Sequence, residues 1–210
     1  MKTVFRVYIL PVVVAATLLL LVRSFVLTQY ASDGALIEWG IHPGDRILVN
    51  KLAYSSARPP QLGDKIVFEH PLMPDHPVCF AACTALPGDT LWYQPASGKI
   101  TPTATCPADH PIVVPSKGKD MQVTPYNARI YWHLLRLERA FVTYRENGEL
   151  LIDGRKVKTV AFLNDYYWLA TNATTYGMIP LRSMLGAPFC VSYGMKDGTL
   201  RLDRLFLTIE

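Results

Sequence analysis

The sequence predicts a mainly β domain behind a single N-terminal apolar helix, and three observations predict it. Short β-branched or aromatic runs recur between Gly-Asp and Asn-Gly turn signals. Sixteen prolines are spread along the 210 residues, and no charged residue occurs from Val7 to Val22. Proline removes an N–H donor and clashes inside a helix, so its even spread argues against long helices. Half of the residues are hydrophobic, 18% are charged and the mean hydropathy is +0.16. That composition excludes a disordered or acidic-tail protein and is too apolar for a typical soluble domain.

The apolar run comes first. A spanning helix takes about 20 residues, a length reached here if Arg23 snorkels and Phe25, Val26 and Leu27 are counted. Lys2 and Arg6 precede the run and only Arg23 closely follows it, so the positive-inside rule puts the N-terminus in the cytoplasm and the body outside. Residues 1–30 therefore read as a cytoplasmic tip and transmembrane anchor. Residues 31–210 read as an exported domain, with a core of 31–92 and 160–210 and a second lobe or insertion at about 93–159. A cleaved signal peptide is the competing reading, but the candidate site ending at Ala31 has Gln29 where a small residue belongs. Without residues 1–30 the body holds 18 basic and 17 acidic side chains. It thus has no basic footprint for nucleic acid, despite a pI near 8.9.

Along the body, residues 46–49, 66–69, 90–93, 141–145, 150–152, 166–170 and 189–193 read as strands. One helix is expected over 125–139, where Ile130, Leu134 and Leu137 recur at helical spacing after Thr124 as N-cap. Residues 93–115, rich in Pro, Thr and Ala, read as a loop or a connection to the second lobe. Cys79, Cys83, Cys106 and Cys190 suit an exported body, and their spacing fixes no pairing: buried free thiols or one disulfide are the plain readings. A zinc set of His70, His76, Cys79 and Cys83 lacks both Cys-x-x-Cys and His-x-x-x-His spacing, so neither metal nor cofactor is expected.

Several motifs follow the anchor in a fixed order. Val22-Arg23-Ser24-Phe25-Val26 leads to Pro43-Gly44-Asp45-Arg46-Ile47-Leu48-Val49-Asn50-Lys51-Leu52-Ala53-Tyr54, then Leu62-Gly63-Asp64-Lys65-Ile66-Val67-Phe68 and Leu86-Pro87-Gly88-Asp89. Val114-Pro115-Ser116-Lys117-Gly118, Asp165-Tyr166-Tyr167-Trp168, Tyr176-Gly177-Met178-Ile179-Pro180 and Arg201-Leu202-Asp203-Arg204-Leu205-Phe206 come after them. In this order they resemble bacterial signal peptidase I, the membrane-bound leader peptidases with a serine/lysine dyad, and the later segments look most like its Bacteroidetes-type members. The resemblance covers nearly the whole chain. It implies a β-rich body of the LexA/signal peptidase type behind one transmembrane helix, in the inner membrane with the body in the periplasm.

The same resemblance locates the chemistry. The family carries Pro-Ser-x-Ser-Met-x-Pro-Thr between the anchor's Arg-Ser-Phe and the Gly-Asp turn. Counting forward from Arg23 and back from Gly44 gives one register, which puts Leu36 in the nucleophile slot. Gly34 then stands in place of the serine hydroxyl that helps bind the oxyanion, and Asp33, Ile37 and Trp39 stand in place of Pro, Met and Pro. Only backbone N–H groups could then form an oxyanion hole. The family's Ile-Lys-Arg before Leu-Pro-Gly-Asp aligns with Phe80-Ala81-Ala82, so Ala81 occupies the general-base slot. A third signature, Gly-Asp-Asn with Ser-x-Asp-Ser-Arg, is reduced to Ala170-Thr171-Asn172, about six residues being missing before Gly177.

Leucine offers no lone pair for attack and alanine no base, so pKa tuning has nothing to act on. Losing such a unit leaves roughly 10³ to 10⁴-fold catalysis over water from binding and the oxyanion hole. The displaced candidates are Ser32, four residues upstream of the slot, with Lys51 or Lys65. Ser32 reads more simply as a turn residue beside Asp33 and Gly34. His42, His110 and His133 have no Ser or Cys at triad spacing. The leading expectation is a membrane-anchored, inactive homologue that binds preprotein segments or an active signal peptidase. The alternatives are a working signal peptidase with a displaced dyad, and a structural exported domain with no peptide role.

Overall fold

The computed structural model describes residues 9–32, 39–196 and 198–209. Its backbone contacts divide the chain into two compact units, Met1–Arg58 with Leu185–Glu210, and Pro59–Met184. Strand accounts for 44% and helix for 17%, so the expected mainly β class holds.

In the first unit, α1 (Leu10–Phe25) is a 16-residue apolar helix with Val12, Leu18, Leu19 and Leu20 exposed. At about 1.5 Å per residue it covers about 24 Å, against about 30 Å of bilayer hydrocarbon. No helix among the described residues is long and apolar enough to cross a membrane. The spanning anchor expected over residues 1–30 is thus not met among them, and the reason is local. Val26 forms a turn and Leu27 opens strand β1 (Leu27–Ala31), so two residues counted towards the span lie outside the helix. The β1 register on β2 (Asp45–Asn50) runs from Leu27↔Asn50 to Ala31↔Arg46. On its other side β2 pairs with β15 (Met184–Lys196), which also carries β16 (Thr199–Arg201) and β17 (Leu207–Thr208).

A buried ion pair closes this unit. Arg204, 7% exposed, sits in the single-turn helix Leu202–Arg204, and its Nε donates to both Asp45 carboxylate oxygens at 2.9 and 3.2 Å. Its Nη2 donates to Asp45 Oδ2 at 2.5 Å and to the Gly40 carbonyl at 2.6 Å. The C-terminal segment thereby clamps the backbone that leads into β2.

The second unit carries an antiparallel array of β3 (Lys65–Glu69), β4 (Val78–Ala85), β13 (Tyr166–Ala170) and β14 (Thr175–Pro180). Three small sheets surround it. One joins β5 (Thr90–Gln94) to β6 (Lys99–Thr101) and β7 (His110–Val113), so much of the region expected as a loop at 93–115 is in fact strand. The second pairs β8 (Asp120–Gln122) with β12 (Thr159–Ala161), and the third joins β9 (Val142–Tyr144), β10 (Leu150–Ile152) and β11 (Arg155–Lys156). The expected helix is present but shorter, as α2 (Ala128–Arg136). Thr124 and Asn127 exchange side-chain-to-backbone hydrogen bonds before it and delay its start to Asn127. Its buried face, Tyr131, Leu134 and Leu135, packs on Leu91, Ile112, Phe162 and Trp168.

One turn recurs at three strand starts and explains the repeated Gly-Asp signal. Asp45, Asp64 and Asp89 each accept a hydrogen bond from the N–H three residues earlier, of His42, Gln61 and Leu86, at 2.8, 2.9 and 2.7 Å. The preceding Gly44, Gly63 and Gly88 have φ of 84°, 85° and 96°. A turn with positive φ at its third residue takes glycine there, because a Cβ would clash with the backbone.

Candidate functional site

The slot expected to hold the general base lies on the β3–β4 ladder. Its register is Lys65↔Ala82, Ile66↔Ala81, Val67↔Phe80, Phe68↔Cys79 and Glu69↔Val78. Opposed residues in an antiparallel pair share a face, and neighbours alternate. One face therefore carries Ile66, Phe68, Ala81 and Cys83, of which the first three are fully buried and Cys83 is 1% exposed. Lys65 stands on the opposite face beside Ala82, so it cannot stand in at the Ala81 position. Burial, with smaller contributions from Asp64 and Asp89, pushes the Cys83 thiol up to about 12. The same loss of water would push an amine's pKa down. At Ala81, equally buried, that effect finds only a methyl group.

Further along, β13 pairs with β4 only at Ala82, Cys83 and Ala85. The Val78–Ala81 half of β4 thus runs past the end of β13. Cys83 exchanges its backbone bonds with Gly63 and Asp64 on the β3 side. By alternation, the Phe80 peptide groups face the other side, where β13 has ended. The β13–β14 hairpin closes in a tight turn in which Thr171 N–H donates to the Thr174 carbonyl at 2.8 Å and Thr174 N–H to Thr171 Oγ1 at 2.9 Å. That turn replaces the expected third signature, and Asn172 lies exposed at its tip.

Leu36, Gly34, Asp33 and Ile37 lie outside the described residues, while Trp39 is buried. Ser32 is 3% exposed, and its backbone exchanges hydrogen bonds with Asp45 and Gly44 at 2.9 and 3.1 Å. Lys51 is held at the other end of the β1–β2 ladder, where its N–H donates to the Val26 carbonyl and its Nζ to the Ser24 carbonyl, both at 2.8 Å. Six residues of extended chain separate these ends, about 20 Å, beyond the reach of a lysine side chain. Lys51 instead caps the last turn of α1, where carbonyls lack partners and a cation is favoured.

A family model of signal peptidase, peptidase S26, matches residues 5–123, more than half of the chain. The chain belongs to the signal peptidase family. No curated protein compared with it matches. The matched span runs from α1 through β8 and contains both Leu36 and Ala81, whereas the third signature lies beyond it. Two other motif segments of this signal peptidase homologue meet in the second unit. Asp165 Oδ1 accepts from Lys117 N–H at 2.8 Å, and Tyr166 N–H donates to the Pro115 carbonyl at 3.0 Å.

The zinc set does not assemble. His70 is buried, its Nδ1 accepts from Leu72 N–H at 3.3 Å and its Nε2 faces the Tyr176 carbonyl at 3.2 Å, which leaves no ring nitrogen for a metal. Among the described residues no group of three His, Cys, Asp or Glu side chains could hold an ion. All four cysteines are free thiols. Sequence reading missed two features, one in each unit. One is β4 itself, whose Ala and Cys residues carry little strand propensity although Gly-Asp turns frame it on both sides. The other is the Asp45–Arg204 pair, whose members both lie in the motifs quoted above.

Proposed function

We propose that this signal peptidase homologue holds extended segments of exported proteins without cutting them. One observation carries the proposal. Ala81 is fully buried at mid-strand on an apolar face, with Lys65 on the opposite face. Alanine supplies no general base there, and the separate count from Arg23 and Gly44 puts Leu36 in the nucleophile slot. Beyond β13 the Val78–Cys79 end of β4 is half-buried, and an extended segment could add there as a strand, a mode in which main-chain bonds give affinity and alternate side chains give specificity. Attachment to the inner membrane with the body in the periplasm, and association with an active signal peptidase there, belong to the same proposal. Lys2 and Arg6 ahead of the apolar run, and the exposed apolar side chains of α1, support it.

The test is incubation of the full chain in mild detergent with an intact preprotein, followed by both electrophoresis and co-purification. The proposal expects the preprotein to be retained uncut. The absence of both retained preprotein and a co-purified active peptidase would overturn the binding part, and cleavage would overturn the rest. The double variant Leu36→Ser with Ala81→Lys reads the surviving architecture: recovered cleavage would show that two side chains separate this chain from an enzyme.

A further inference from the structure

Helix α2 carries Arg129, His133 and Arg136 at spacings of four and three, which places them in one stripe. Among the described residues no ion pair engages any of the three. The nearest acid in sequence, Glu138, is committed elsewhere, accepting from Leu163 N–H, Asn164 N–H and Nδ2, and the Tyr166 hydroxyl. Arg139 and Arg182 are bonded to the carbonyls of Ala161 and Leu137. The stripe therefore sets two arginines and a histidine together without a carboxylate of its own.

Two members of that stripe also line a cavity. His133, Arg136 and Leu137, together with Pro71 and Leu72 of the β3–β4 turn, surround an open cleft of about 570 Å³. Both sides of it are held in place. The Arg136 guanidinium lies 5.1 Å over the Trp132 ring, whose Nε1 donates to the Val142 carbonyl at 3.1 Å. Across the cleft, the buried His70 ring fixes the turn through Leu72 N–H and the Tyr176 carbonyl.

We infer that this cleft binds an acidic peptide segment, a carboxylate seated on Arg136 and His133 beside a leucine-like side chain against Leu72 and Leu137. Charge complementarity selects the sign, since neither Arg129 nor Arg136 has a carboxylate partner and a guanidinium suits a carboxylate. The apolar lining selects the neighbour, and the volume lies within the roughly 300–1,000 Å³ of ordinary ligand sites. Concavity selects a segment over a membrane, because a planar bilayer cannot enter a cleft. Burial and the Arg129 and Arg136 charges hold His133 below its ordinary pKa, and a bound carboxylate would counter the repulsion from the two arginines. This site is separate from the β4 edge, and either can fail alone.

The test uses two dye-labelled peptides, one alternating Glu and Leu and one alternating Gln and Leu, read by fluorescence anisotropy against the full chain in mild detergent. The Glu peptide should bind at least about tenfold more tightly, the size of one charge-assisted hydrogen bond. Arg136→Gln with His133→Gln should remove that preference while leaving the unfolding midpoint in place. Arg145→Gln, at an exposed arginine paired with Glu149, should change nothing. Equal binding of the two peptides, binding of neither, or undiminished binding by the double variant would overturn the inference. So would a double variant that loses affinity only for phosphatidylglycerol vesicles.

Discussion

Arg204→Ala tests the clamp on which the first unit depends. The side chains of Arg204 and Asp45 are 8% and 2% exposed, so water cannot replace the lost guanidinium. The substitution deletes three donor contacts to Asp45 and one to the Gly40 carbonyl, leaving the carboxylate with the His42 N–H at 2.8 Å. Breaking one side of a buried ion pair costs about 3–5 kcal/mol, because a charge remains without its partner. Removing both members costs less than the sum of the single changes, so Asp45→Ala with Arg204→Ala should show a coupling of about 2–3 kcal/mol. Urea unfolding of the four proteins followed by circular dichroism measures each term. A loss under about 1 kcal/mol for Arg204→Ala, the value of an exposed pair, would refute the reasoning.

Gly44→Ala should lower stability by about 2 kcal/mol or more, from the positive φ and a Cβ that would meet the Met195 carbonyl oxygen at 2.2 Å; thermal melting reads it. His133 is held below its ordinary 6.5, mainly by burial and further by Arg129 and Arg136, with uncharged Pro71 and Leu72 facing it across the cleft. The unfolded chain then binds the extra proton first, so stability should fall as pH drops through about 6.5 and level off below the folded pKa. His133→Gln should flatten that part of the profile. Iodoacetamide should label the exposed Cys106 quickly in the native protein, but Cys83, whose thiol is pushed up to about 12, and the buried Cys190 only on unfolding; mass spectrometry of peptides distinguishes them.

What could be read from the sequence was whatever depends on local signals. Gly-Asp turns marked the starts of β2, β3 and β5, because each encodes one hydrogen-bonded geometry. The strands at 150–152 and 166–170 fall where the apolar runs put them. Long-range pairing decided the remainder. Residues 99–101 and 110–113 are strands only because β5 lies between them, and their Pro and Thr content gave no sign of it. The apolar run was read by composition as long enough to span, but backbone pairing with β2 takes Leu27 out of the helix. At the site, the family resemblance pointed to Ala81, whereas its facing away from Lys65 required the β3–β4 register.

The proposed function is that this signal peptidase homologue holds preproteins without cutting them. Incubating the full chain with a preprotein in detergent, beside Ser32→Ala, tests it most directly. The account predicts an intact preprotein with both proteins; cleavage by the wild type that Ser32→Ala abolishes would contradict it.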